Sequence, residues 1–345
     1  MPNIAKKRIL IVGAGISGAT IARKLADNGY EINLVEKKKH IAGNCYDFID
    51  KNGIRIHKYG PHLFHTSKKD VITWLSRFTD WIDYKHHVVS KLRNGDLVPF
   101  PPNIETLKKV KKEDLINIFY RPYTEKMWGT KLEKINPGIL NRVPIREDSE
   151  NCYFPKDNFQ KLPKEGYTSL IAKMLNHENI KVRINCDYQR EMSEEYFHTF
   201  NSMPIDEFFN YKFGHLPYRS IKFHHKVKNI NRITKHPVIN FTDINSPYTR
   251  QTEWKNLPNN KNMNHLTVIT KEEPCDYKEN NQERYYPVND IGGLNRKLYQ
   301  KYANLVPNDI TFIGRCGLYV YINMDEAVAS ALLKAKSFIN KYKKI

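Results

Sequence analysis

The sequence predicts an α/β protein in which a Rossmann-like dinucleotide-binding domain is interrupted by a helical domain and an antiparallel β-sheet domain. Three observations carry that prediction. The chain opens on an apolar run that reaches a helix through three spaced glycines and ends on an acid, "ILIVGAGISGATIARKLADNGYEINLVE". From about residue 218 the pattern changes to β-rich runs separated by Asn, Pro and Lys. Residues 309 to 343 then return to a strand, a glycine and a helix, as expected where an interrupted nucleotide domain is closed.

The opening stretch follows from local physical chemistry. Ile9 to Val12 form an unbroken aliphatic run, the signature of a parallel strand covered on both faces. Gly13, Gly15 and Gly18 fit G-x-G-x-x-G: the first allows the tight turn, the second lets the backbone approach a pyrophosphate, and the third lets the helix pack close to the sheet. The helix is expected from about Ser17 to Asn28, with its free N–H groups facing phosphate and Gly29 stopping it. Ile32 to Val35 supply the second strand. Glu36, 18 residues after Gly18, stands where a carboxylate meets a ribose hydroxyl. The extreme N-terminal position and "HIAGN" (His40 to Asn44) resemble FAD enzymes of the amine-oxidase and glutathione-reductase type, with Ala42-Gly43 replacing the usual Gly-Gly. FAD is therefore the expected guest.

Residues 67 to 134 read as helices, with Val71, Ile72, Trp74, Leu75 and Phe78 at helical spacing and "KEDLINIFYRPYTEKMWG" continuing beyond the "PFPPN" break. Tyr167 to Leu175 form another amphipathic helix and Ile180 to Ile184 a strand. "YRSIKFHHKV", "PVINFTDI" and "NHLTVITKEE" supply the antiparallel sheet, "ITFIG" a strand, and a last helix starts near Asp325. The expected division is an FAD-binding domain over 1–66, 161–204 and 285–345, a helical domain over 67–141, and a mobile loop with the sheet domain over 142–160 and 205–284.

Composition bounds the partners. The 345 residues carry a net charge of +19, but the lysines are dispersed and no nucleic-acid module appears, so no nucleic-acid partner is expected. A basic surface favours a doubly anionic substrate. Five scattered cysteines without metal spacing point to a reducing compartment, the cytoplasm, and no metal site is expected. No apolar stretch is long enough to span a bilayer, although the lysine-rich C-terminal helix suits weak peripheral contact with anionic lipid.

Several stretches hold more aromatics, arginine and histidine than a core requires: "YGPHLFHT", "YTEKMWG", "NRVPIREDSENCYF", "PYTR", "YYPVND" and "GRCGLYVYINMDE". In this order they resemble the bacterial UDP-galactopyranose mutases over nearly the whole chain. The resemblance implies a non-redox isomerase that interconverts UDP-galactopyranose and UDP-galactofuranose. It implies tightly bound, reduced FAD whose N5 attacks the anomeric carbon to give a covalent N5–sugar adduct. It also implies roles for named residues. Arg142, on the mobile loop, and Arg250, across the cleft, meet the diphosphate. Phe119, Tyr123, Thr124 and Trp128 cradle uridine, and Tyr153, Tyr286 and Tyr321 reach phosphate or sugar. For Phe119 and Trp128, periodicity alone favours core packing.

The same resemblance sets His62 and His65 near flavin and sugar, His62 with a catalytic part, against an alternative of satisfied buried histidines. Arg219 and Arg315 support the cofactor, together with Gly13, Gly15, Ser17, Gly18, Glu36, Lys37, Asn44 and Asn323. Asn323 departs from the family, which usually has a carboxylate there; with Glu326 it also reads as a helix-capping pair. A homodimer is expected. The readings left open are a mutase acting on UDP-N-acetylgalactopyranose, a flavin amine oxidase or desaturase, and a non-catalytic UDP-sugar or nucleic-acid binder that keeps FAD as a structural element.

Overall fold

A computed structural model describes residues 8–135, 145–260, 265–288 and 290–342. The N-terminal run forms the strand Arg8–Val12, the helix Ile16–Ala26 and the strand Glu31–Glu36, within two residues of the sequence expectation. These strands belong to a five-stranded sheet in the order Ile180–Ile184, Glu31–Glu36, Arg8–Val12, His198–Asn201, Ile310–Phe312, and every pair in it is parallel. Ile9, Leu10 and Ile11 have no exposed surface, as a strand covered on both faces requires. Helix Ile16–Ala26 packs on the C-terminal helix Met324–Tyr342 through small residues: Ala19, Ala22 and Ala26 on one, Ala327, Ala331 and Ala335 on the other. Short side chains on both faces let the two axes come close, so the end of the chain locks its beginning.

The second layer is a seven-stranded sheet in the order Tyr286–Pro287, Tyr218–Lys228, Thr267–Asp276, Arg250–Glu253, Val238–Phe241, Val88–Lys91, Leu97–Phe100. It is antiparallel apart from the pairing of Val238–Phe241 with Val88–Lys91. Its last two strands correct the expectation that residues 67 to 134 are helical. Only Lys69–Leu75, Ile104–Leu107 and Arg121–Trp128 are α-helices there, while Trp81–Asp83, Val88–Lys91 and Leu97–Phe100 are strands. The physical reason is visible in "VVSKLRNGDLVPF". Asn94-Gly95, with Gly95 at φ +94°, turns the chain between two β-branched runs, and Leu92 and Asp96 close the loop with a 2.8 Å backbone bond. Pro99 is tolerated because its strand is the sheet edge.

A buried carboxylate joins the N-terminal segment to the helix Gly166–Leu175. Asp47 accepts the N–H groups of Tyr167 at 3.0 Å and Thr168 at 2.8 Å, and its Oδ2 meets Arg55 at 3.3 Å. It thus satisfies donors at the helix N-terminus that would otherwise be orphaned. Lys126 makes a comparable knot in the second layer. Its ammonium donates to the carbonyls of Tyr248 at 2.7 Å, Asp243 at 2.9 Å and Phe241 at 3.4 Å. That fastens the helix Arg121–Trp128 to the loop leading into the strand Arg250–Glu253.

Candidate active site

The first half of the site is a cleft at the carboxyl ends of the parallel strands, where open α/β sheets bind nucleotides. Gly13, Gly15, Glu36, Lys37 and Asn44, all expected from the sequence, line it with Lys38, Ser202, Glu283, Arg284 and Cys316. The glycines divide their work as the spacing suggests. A Cβ on Gly18 would lie 2.0 Å from the Gly13 carbonyl oxygen, so this residue sets how closely helix and strand approach. A Cβ on Gly15 would meet nothing nearer than the Gly43 Cα at 3.9 Å. That space, above a helix start that no side chain caps, is a cradle for a pyrophosphate. Glu36 is buried and held in place, accepting from the Ala14 N–H and the Lys38 N–H at 2.8 Å each. Ala42 adopts φ +74°, a left-handed conformation that explains why Gly-Gly is the usual pair. The residues present fit a dinucleotide.

The second half is a cluster of aromatic rings. Tyr286 and Tyr321 lie 5.0 Å apart, with Trp128 6.2 and 6.1 Å from them. The Arg315 guanidinium sits 5.1 Å from the Tyr286 ring and 5.3 Å from the Tyr321 ring, donating to the Ile322 carbonyl at 2.7 Å. Its neighbour Gly314 packs on Ser17, 3.5 Å from the hydroxyl oxygen to the nearest possible Cβ, so Arg315 lies between the glycine turn and the ring cluster. Lys38 ties the same border by donating to Tyr59 at 3.1 Å, while Tyr285 donates its hydroxyl to the Tyr59 carbonyl.

Arg250, on its own strand, lies near Tyr123 and Tyr286, and a residue absent from the sequence reading fixes it. Glu272 stands opposite Arg250 in register, has no exposed surface and accepts from Arg250 Nε at 2.8 Å. Burial pulls the Arg250 pKa down; the charge on Glu272, its hydrogen bond to Arg250 and the nearby Tyr123 and Tyr286 together outweigh it, and the net shift is well upward. Gly60 must be glycine for the same reason. A Cβ there would sit 3.1 Å from Glu272 Oε1 and 3.0 Å from Phe223, at φ +81°. The Gly60 turn in turn places His62, whose Nδ1–H donates to the Gly60 carbonyl at 2.9 Å. Burial lowers the His62 pKa to about 3, with His57 beside it adding to the shift. The imidazole is therefore neutral at physiological pH with Nε2 as an acceptor. The available signal for Glu272 was the alternation in "TVITKEE", which sets Glu272 on the face of Thr270 and Val268.

Other expected residues fall as follows. Tyr123 is enclosed, with a pKa raised by burial, near Arg250, Glu272, Tyr153 and Tyr321. Thr124 is buried on the same helix. Phe119 lies in an apolar cluster with Val88, Val98, Phe100 and Val238. His65 stacks on Phe154 at 3.5 Å and meets Asp157 at 2.6 Å. Arg219 donates to the carbonyls of Met127 at 2.8 Å and Lys126 at 3.2 Å, at the C-terminus of the helix that carries Trp128. Arg146, read as part of the polar loop, folds back on the Cys152 carbonyl at 2.7 Å. The Asn323 N–H donates to Glu326 at 2.7 Å, as in a capping box. Arg142 lies outside the described residues.

Comparison with known proteins adds the following. A sequence model of the UDP-galactopyranose mutase family matches residues 118–321, and one of NAD(P)-binding Rossmann-like domains matches residues 11–78. A UDP-galactopyranose mutase of Mycoplasma genitalium is 34% identical, covering 98% of this chain and 96% of that protein. A dTDP-fucopyranose mutase of Escherichia coli is 31% identical over 97% of this chain and 99% of that protein. A crystal structure of reduced UDP-galactopyranose mutase superposes with a TM-score of 0.75, over 98% of this chain and 94% of that one, at 16% identity.

Two substitutions separate the glycine roles. Gly15→Ala should fold normally but lose dinucleotide, because its methyl enters the cradle. Gly18→Ala should destabilise the apoprotein itself, because backbone must move. Thermal melts of both apoproteins and cofactor retention on a desalting column distinguish these outcomes. Glu272→Gln should lower the unfolding free energy by roughly 3 kcal/mol in urea titrations, since it leaves a largely buried guanidinium without its counter-charge. Unchanged stability would show that Glu272 does not hold Arg250.

Proposed function

The chain belongs to the UDP-galactopyranose mutase family, and from that membership we propose that it interconverts UDP-galactopyranose and UDP-galactofuranose as a flavin-dependent isomerase without net redox change. The observation that carries the proposal is the junction itself. A dinucleotide cleft lies beside a cluster of tyrosines and arginines, with Arg315 over the Tyr286 ring at the border. FAD is the dinucleotide this cleft takes, and in its reduced form it supplies the nucleophile for the anomeric carbon.

The chain's own groups do the rest. Negative charge grows on the diphosphate as the glycosyl bond breaks, and a planar guanidinium is the donor suited to it. Arg250 uses Nε for Glu272, which leaves its terminal nitrogens to serve the diphosphate in this reading. Arg142 supplies the second guanidinium. Trp128, Tyr286 and Tyr321 exclude water and position the sugar; Tyr123 and Thr124 line the uridine side. Neutral His62 offers Nε2 as an acceptor to an N–H or O–H donor of the ligand without adding charge beside Arg250 and Arg315. Asn323 offers hydrogen-bonding capacity at the start of the last helix, where its N–H meets the Glu326 carboxylate. The enzyme is cytoplasmic and homodimeric in this reading.

The E. coli relative gives a specific reason to test a second substrate. Dithionite-reduced protein is incubated with UDP-galactofuranose, UDP-N-acetylgalactofuranose or dTDP-fucofuranose, and the ring forms are separated by chromatography. We expect UDP-galactofuranose to convert fastest with reduced enzyme and not at all with oxidised enzyme. Faster conversion of another sugar nucleotide would replace the substrate assignment. Conversion of none would overturn the proposal.

A further inference from the structure

One end of the seven-stranded sheet carries a feature that the site does not use. Every residue from His225 to Ile233 is exposed, in a stretch that leaves the strand Tyr218–Lys228 and turns back toward Val238. Three of these residues are β-branched aliphatics: Val227, Ile230 and Ile233, with 47%, 50% and 47% of their surface in water. They are interleaved with Lys226, Lys228 and Arg232, Lys235 follows, and no Asp or Glu occurs from His224 to Thr242.

This loop is held rather than left loose. Glu253, 1% exposed, accepts the Ile233 N–H at 2.8 Å and the Thr234 N–H at 2.9 Å, and takes a further bond from the Thr267 hydroxyl at 2.9 Å. Lys255, 3% exposed, donates to the Asn231 side-chain oxygen at 2.7 Å and the Leu266 carbonyl at 3.1 Å. Taking a carboxylate and an ammonium out of water is costly unless both are bonded in this way. Here two such buried groups fix a loop whose apolar side chains stay in water, where they gain nothing until a partner covers them.

We propose that this loop docks the protein on an anionic phospholipid surface. Lys226, Lys228, Arg232 and Lys235 pair with headgroup phosphates, and Val227, Ile230 and Ile233 enter the interfacial layer. The choice of occupant rests on charge complementarity. An acid-free basic stretch on a chain of net charge +19 is matched by a phosphate-rich surface, and single aliphatic side chains spaced along a turn suit a fluid layer rather than a shaped protein pocket. The attachment is peripheral, since no helix among the described residues is long and apolar enough to cross a membrane.

The test is co-sedimentation of the full-length holoprotein with phosphatidylcholine vesicles, with and without phosphatidylglycerol, at low and physiological salt. Wild type should bind only the anionic vesicles, more weakly as salt rises. Ile230→Ser with Ile233→Ser, and separately Lys226→Glu with Lys228→Glu, should each weaken partitioning about tenfold or more. Lys336→Glu with Lys341→Glu, the same charge change on the exposed face of the C-terminal helix, should leave binding largely intact. Circular dichroism melts and turnover of all three variants should match wild type. The proposal is overturned if wild type ignores anionic vesicles. It is equally overturned if the helix variant loses as much binding as the loop variants, or if the loop variants keep vesicle binding and instead dissociate a dimer.

Discussion

The carboxylate of Glu272 is the constraint around which the site is assembled. It has no exposed surface, lies in the middle of the second sheet, and is opposed in register by Arg250. An ion in such a place is tolerated only when it is paired, so Glu272 and Arg250 fix each other. The Gly60 turn packs against the same carboxylate and carries His62, and the Thr249 N–H donates to the Glu272 backbone carbonyl at 2.9 Å. One buried charge therefore sets an arginine, a histidine and the strand register between them.

The remaining architecture delivers a nucleotide cleft to that point. The parallel sheet ends at the glycine turn, and the C-terminal helix closes over the N-terminal helix through alanine faces. This closure brings the segment carrying Arg315 and Tyr321 back against Ser17 and the glycine turn. The aromatic walls then join residues far apart in sequence, Trp128, Tyr286 and Tyr321, within 5.0 to 6.2 Å of one another. Lys126 and Arg219 secure opposite sides of the helix that carries Trp128, one through the loop before Arg250 and one through the helix's last carbonyls. Neither needs to touch a ligand to matter for the geometry.

What was legible in the sequence follows the range of each signal. The glycine turn, its flanking strands and Glu36 are encoded by neighbours and fall at the expected positions. The capping pair Asn323 and Glu326 is equally local. The helical reading of residues 67 to 134 failed because apolar spacing in "KKDVITWLSRF" was extended across Asn94-Gly95, a hairpin signal that should have broken it. Glu272 was marked only by strand alternation, which does not name its partner. In "ITKEE" two adjacent acids look alike, and only strand register buries one against Arg250 while Glu273 meets His224 at the surface. Arg219, given a cofactor role only through the family resemblance, is bonded to a helix end, a contact that no local pattern specifies. The ring walls were identified from aromatic density, yet their mutual packing depends on long-range closure that no local pattern specifies.

The central claim of the proposed function is that cleft and ring cluster form one site in which the bound cofactor, and no side chain, provides the nucleophile. Reconstituting apoprotein with 5-deaza-FAD replaces the flavin N5 by carbon while preserving the shape of the cofactor. Both this holoprotein and the FAD form, chemically reduced, are then compared for interconversion of the two UDP-galactose ring forms. The account predicts equal cofactor retention, turnover with FAD and none with 5-deaza-FAD. Comparable turnover with both would contradict it.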